Sequence, residues 1–166
     1  MPEYLLLLIF PAAMAFAGAM DLLTMTIPNR ISLLLIGSFA VAAPLAGFSW
    51  EMLFNHVAVG VAVLAVGIAM FSMGWVGGGD AKLMAAAALW IGADNFVVYF
   101  AQVTLFGGLL AVAILMYRRL PIPPLSAPQW ALKLHNKTSG IPYGIAIAAA
   151  ALKLYPQTIW FSAFTA

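Results

Sequence analysis

Apolar residues in this chain come in long runs separated by short polar breaks, the pattern of helices surrounded by lipid. Tyr4 to Met20 is the first run, 17 residues and near the lower limit for a helix crossing a hydrocarbon core of about 30 Å. It ends at Asp21, and in the Leu22 to Arg30 stretch Pro28 pushes Ile27 out of helical geometry, which predicts a turn-back. Ile31 to Phe48 makes a second span, loosened around Pro44, and Trp50, Glu51, Asn55 and His56 read as a short polar connection to a third, Val57 to Trp75. Ala81 to Gly92 is the fourth and is short, since 12 residues rise only about 18 Å. A helical path starting within Gly77 to Gly79 reaches about 25 Å, enough to cross if Asp80 is recessed in a wet cavity. Asp94-Asn95 reads as a break before span five, Phe96 to Tyr117, where the small pair Gly107 and Ala111 predicts a close helix contact. Span five ends in Arg118-Arg119, and the polar segment from Leu120 to Gly140 begins with prolines 121, 123, 124 and 128, which predict an extended path, while Trp130, Lys133, His135 and Lys137 suit a loop, about 118–140, at the membrane interface. Span six runs from Ile141 to about Tyr155 with Pro142 in its first turn, and the tail through Trp160 lies along the far surface. The expected fold is an all-α membrane protein, a polytopic bundle of six transmembrane helices with the fourth short, forming a single integral-membrane domain over residues 1–166.

Composition supports the membrane class: 65% of the 166 residues are apolar and 7% charged, where a soluble domain carries charge on about a quarter. Nucleic acid is excluded as a partner on the same ground. With no cysteine there is no disulfide, iron–sulfur cluster or cysteine zinc site, and two separated histidines make no metal site. Leu5 to Phe10 followed by small residues resembles a signal sequence, but Met1-Pro2-Glu3 supplies an acid where a positive leading region is required, so the segment reads as a retained span. Arg30, Lys82, Arg118, Arg119, Lys133 and Lys137 all fall on one side of a six-crossing arrangement, while Glu51 and Asp94 fall on the other. The positive-inside rule makes the basic side cytoplasmic and turns both termini outward. Asp21 and Asp80 then share the cytoplasmic end.

The cluster Gly77-Gly78-Gly79-Asp80-Ala81-Lys82 concentrates the chemistry of the chain. Asp80 has an ordinary reading as the cap of a helix starting at Ala81, and Asp21 as an interfacial acid. Together they also suit peptide hydrolysis, in which one ionised carboxylate activates water and a protonated partner donates to the scissile carbonyl. The macrodipole disfavours an anion where a helix ends and favours one where a helix begins, which makes Asp80 the base and Asp21 the acid. Two rival classes remain: a small transporter or channel subunit whose paired acids relay cations, and a non-catalytic assembly subunit whose glycines serve packing. Lys82 also reads as a positive-inside anchor, and Pro28, Asn29 and Tyr143 as turn and interfacial residues.

Asp21 followed after six residues by Pro28-Asn29, then Gly77 to Lys82 before a fourth span and Ile141-Pro142-Tyr143-Gly144 opening the last, resembles the type IV prepilin leader peptidases, GxGD-class intramembrane aspartyl proteases. The resemblance covers nearly the whole chain. It implies Asp21 and Asp80 as the catalytic pair, and Gly77, Gly79, Lys82, Pro28, Asn29 and Tyr143 as substrate-binding or site-shaping residues. The missing side chains of Gly77 and Gly79 would give Asp21 and a substrate backbone room beside Asp80. It also implies a bacterial inner-membrane enzyme that removes a short basic leader from prepilins at the cytoplasmic face, with the lipid bilayer and the pilus-assembly machinery as partners and no metal or other cofactor. Longer members carry an N-terminal segment with paired cysteines and methylate their product. This chain begins almost inside its first span, has no cysteine, and is similar to the short Flp or Tad-pilus form, so methylation is not expected of it. The Pro-Ala-Leu motif of presenilin-type relatives is absent, whereas archaeal preflagellin peptidases share the paired-aspartate logic and stay an alternative.

Overall fold

Helix boundaries follow from local stops and caps more than from where the apolar runs end. The computed structural model describes residues 2–121 and 127–165, and every regular element among them is helical. Helix α1 (Pro2–Thr24) runs through Asp21 and stops at Met25, whose φ of 59° is left-handed. Pro28, extended at ψ 133°, leads into α2 (Asn29–Leu45), which carries Pro44 in its last turn. Helix α3 (Trp50–Ser72) begins well before Val57: the Ser49 hydroxyl accepts from the Met52 N–H at 3.2 Å and Glu51 sits in the first turn. The segment read as a polar connection is therefore helical, because a side-chain cap and a favourable dipole stabilise its first turn.

Helix α4 (Gly78–Ile91) has Gly77 as its N-cap with no side-chain cap bond. Asp80 lies inside the first turn, which corrects its reading as the cap of a helix starting at Ala81. Gly92, at φ 78°, alone separates α4 from α5 (Ala93–Tyr117), so Asp94-Asn95 belongs to a helical first turn and breaks nothing. Within the polar segment expected to be extended, α6 (Gln129–His135) is helical; Pro123 and Pro124 lie outside the described residues. Helix α7 (Gly144–Leu154) opens two residues after Pro142, later than expected, and a 3-10 turn at Tyr155–Gln157 leads to α8 (Ile159–Thr165).

Side-chain contacts fix how the helices run. Gly60 meets Leu89 and Gly67 meets Ala81, so α3 and α4 are antiparallel; Gly18 meets Ala148 while Phe10 meets Tyr155, so α1 and α7 are antiparallel too. Tyr99 reaches Ile147 and Gly107 reaches Tyr143, which sets α5 antiparallel to α7. Asn29 pairs with Lys82 and the Trp90 indole with Leu35, making α2 and α4 parallel. Helices α1, α3 and α5 thus run one way and α2, α4 and α7 the other. Among the described residues, α1 over Leu7–Thr24, α3 and α5 are long and apolar enough to cross a membrane. Helix α2 is apolar but has 17 residues. The 14 residues of α4 and 11 of α7 rise only about 21 and 16 Å.

Helix α4 is the centre of the bundle, packed against α1, α2, α3, α5 and α7, with every residue from Ala85 to Ile91 buried. Lipid contributes little hydrophobic drive between helices, so close approach and internal hydrogen bonds must hold them. A buried helix end is then a hazard, because its last carbonyls lack partners. Three of those in α4 are met: Ala88 O accepts from the Gly92 N–H, Leu89 O from His56 Nδ1 at 2.8 Å, and Trp90 O from the Trp160 indole at 2.6 Å. Phe39, Phe48 and Trp160 pack around His56 at this end of the bundle, and Trp90 packs on Trp160. The two aspartates lie at the other.

Candidate active site

Asp21 sits one turn before the end of α1 and Asp80 in the first turn of α4, and antiparallel packing brings these two helix ends to the same level. Asp21 is only 5% exposed, and its Oδ2 accepts the backbone N–H of Gly144 at 2.7 Å. Asp80 is close enough to feel the charge of Asp21 and lies near the same Gly144 N–H. Its Oδ1 is buried with no hydrogen-bond partner among the described residues. Both carboxylates line one cavity of about 1100 Å³ between α3, α4, α5 and the start of α7. Arg118 and Ser139 join them at the polar end, and the cavity continues along apolar side chains such as Val59 and Val63 of α3 and Phe96 and Phe100 of α5.

The glycines around the dyad do different jobs. A Cβ on Gly77 would stand 2.8 Å from Asp80 Oδ2, so its absence leaves room for that carboxylate. Gly79 instead makes room for Ile27, whose Cβ would lie 3.2 Å away. The residue that gives Asp21 its space is Gly144, where a Cβ would come within 2.8 Å of both Asp21 Oδ2 and Ile27 Cδ1. Sequence reasoning quoted Gly144 as the end of a motif without giving it this role. Its position directly after Pro142-Tyr143 at a helix start was the available signal.

Tyr143 lines the dyad cavity, and its ring lies over Gly107. The close partner of Gly107 is thus an aromatic ring and not another helix backbone. Lys82 and Asn29 are brought together, Lys82 Nζ donating to Asn29 Oδ1 at 3.0 Å, but they line a separate groove of about 630 Å³ between α2, α3 and α4. Pro28 shapes the start of α2 and lines neither space.

A prepilin leader peptidase/N-methyltransferase of Bacillus subtilis (strain 168) is 29% identical over 148 residues, which make up 89% of this chain and 53% of that protein. The chain therefore spans about half the length of the curated relative it matches. No solved structure matches. The type IV leader peptidase family matches residues 8–115, a stretch that contains Asp21, the glycine cluster and Asp80 and ends before Gly144. Because that match takes in more than half of the 166 residues and both members of the dyad, the chain belongs to the type IV leader peptidase family.

Proposed function

We propose that the chain is a membrane-embedded aspartyl endopeptidase that removes the short basic leader from Flp-type prepilins at the cytoplasmic face of the bacterial inner membrane. The observation that carries this reading is the meeting of Asp21 and Asp80 in one cavity that is polar at the dyad and apolar beyond it. A precursor whose cleavage site sits between a basic leader and an apolar helix matches that polarity, with the leader toward the dyad end and the helix along α3 and α5. The relative's printed name, a prepilin leader peptidase, supports the same substrate class. In this reading the chain crosses the membrane six times, with both termini periplasmic, and works as one peptidase domain with the 118–140 segment at the cytoplasmic interface.

Catalysis follows from the dyad alone and calls for no covalent intermediate. One carboxylate is ionised and takes a proton from the attacking water, while the other donates its proton to the scissile carbonyl oxygen, giving a tetrahedral diol that collapses with proton transfer to the leaving amine. The Gly144 N–H bond supports Asp21 as the ionised member. The unpartnered Asp80 Oδ1 suits the member that carries the proton. This assignment reverses the one read from helix ends.

The test is to co-express the chain with an Flp-type prepilin and follow leader loss by gel mobility. Asp21→Asn and Asp80→Asn should each slow processing by roughly 10²–10⁴-fold while the protein still accumulates in the membrane. Full processing by either folded variant would remove the dyad from the mechanism.

A further inference from the structure

Arg118 follows directly on α5 as its C-cap residue, where a membrane helix usually leaves an arginine for lipid headgroups. Here the side chain turns inward instead. Nε donates to Leu134 O at 2.8 Å, and Nη2 to Ser139 O at 2.9 Å and Gly140 O at 3.1 Å. A planar guanidinium is suited to such a fork, because its donors lie in fixed directions and the charge shortens each bond. Arg118 also lines the dyad cavity.

What the fork holds is the approach to Gly144. From Gly140 the chain passes Ile141, then Pro142, which is fully buried, then Tyr143, whose ring is seated on Gly107 of α5. The proline fixes its own φ and the ring fixes the next residue, so little slack separates the Arg118 fork from the Gly144 N–H. The two anchors of this path are Gly107 of α5 and the C-cap of the same helix, and the path ends in the donor that Asp21 receives from 123 residues away. We infer that Arg118 is a positioning residue of the dyad, setting the Gly140–Gly144 segment so that the Gly144 N–H stays on Asp21. The inference rests on the peptidase reading only where activity is measured.

A plainer role would be to staple α6 to the end of α5. That staple already exists, since His135 Nε2 bonds Leu120 O at 2.7 Å and the Tyr117 hydroxyl reaches Ala131 O at 3.4 Å. Neither touches residues 139–140. The Arg118 bonds to Ser139 and Gly140 are what an α6 staple leaves unexplained.

Tyr143-Gly144 is the sole Tyr-Gly step in the sequence, so labelling with carbonyl-¹³C tyrosine and ¹⁵N glycine selects the Gly144 amide alone in an NMR spectrum. In the wild type this amide should be shifted downfield and exchange slowly. Arg118→Ala should move it toward the unbonded position, Arg118→Lys should move it part of the way, and His135→Ala should leave it in place. In the prepilin assay, Arg118→Ala should lower kcat by about 10²-fold, the cost of misplacing a reacting group by about 1 Å, with KM within about twofold. Added methylguanidinium should restore part of the rate. An unchanged Gly144 amide in folded Arg118→Ala, or an equal loss of kcat in His135→Ala, would overturn the inference. Should Arg118→Ala not fold, an unmoved amide in Arg118→Lys overturns it equally. A wild type that leaves prepilin intact would refute the peptidase reading, and the amide measurement would still decide the role of Arg118.

Discussion

At the dyad, the room available to each carboxylate separates glycines that look equivalent in sequence. An added Cβ meets Asp80 Oδ2 at Gly77 and Asp21 Oδ2 at Gly144, both at 2.8 Å, but meets only Ile27 at Gly79. Gly77→Ala and Gly144→Ala should therefore slow leader removal by about 10²-fold, the order expected when a catalytic group is displaced by about 1 Å. Gly79→Ala should cost less, because Ile27 can shift without moving either acid. Gly108→Ala, where nothing lies within 4 Å of the new carbon, is the control that should process at the wild-type rate. A rate assay that ranks Gly79→Ala beside Gly144→Ala would show that carboxylate clearance is not what these glycines provide. The two aspartates were legible in the sequence because ionised side chains near lipid are costly and stand out. The donor to Asp21 was not, since a backbone N–H leaves no mark in residue type and is brought to the site across most of the chain. Without it, the roles of the two acids were argued only from their places in the last turn of α1 and the first turn of α4.

Among the helices, apolar runs marked the order of the main helices but misjudged their ends and lengths: three of the described helices are long and apolar enough to cross a membrane, and first turns are polar where a cap satisfies them. Trp50 to His56 is the clearest example, and His56 itself turns from a presumed loop residue into the partner of a buried carbonyl at the end of α4. His56→Phe would keep the ring stacking on Phe39 but strand Leu89 O. The expected loss is about 1–3 kcal/mol, read from denaturant unfolding in detergent. Helix α3 offers a second test, for it is seated on α4 through glycines and buries only His56 and Gly60. A Cβ on Gly67 would lie 2.9 Å from that of Ala81, next to the dyad. In Gly67→Val the overpacking cost of about 1–3 kcal/mol should outweigh the few tenths of a kcal/mol that valine gains over glycine in a helix. Gly37→Ala, in open space on α2, should instead be neutral or stabilising by up to about 1 kcal/mol.

For the molecule as a whole, alternating helix direction sorts charge to opposite ends: Arg30, Lys82 and Arg118 belong to the dyad end, Glu51 and Asp94 to the end that holds the aromatic cluster. This is the separation that the charge pattern predicted, and it was legible because the connections holding Glu51 and Asp94 carry no Lys or Arg, although Asp21 and Asp80 share the basic end. The lengths of the last helices were not, since α7 stops at a turn around Pro156 that the apolar run hides. Both short helices, α4 and α7, begin at the dyad, and at about 21 and 16 Å neither matches a hydrocarbon core of about 30 Å. If their outer ends lie at the membrane surface, the dyad must be recessed by roughly 10 Å, reached through the cavity that Arg118 and Ser139 line. A chain without cysteine allows this to be tested by single substitutions and a membrane-impermeant maleimide. Glu51→Cys and Asp94→Cys should label in intact cells, whereas Arg119→Cys and Lys137→Cys should label only after the membrane is opened. Met70→Cys, placed in the cavity wall, should label from the cytoplasmic side alone and more slowly than Lys137→Cys, as a wet recess requires. Labelling of Lys137→Cys in intact cells would put the dyad on the periplasmic side, away from any cytoplasmic leader. Equal rates at Met70→Cys and Lys137→Cys would mean that the two acids stand at the surface, and the short helices would then need a thinned bilayer to cross.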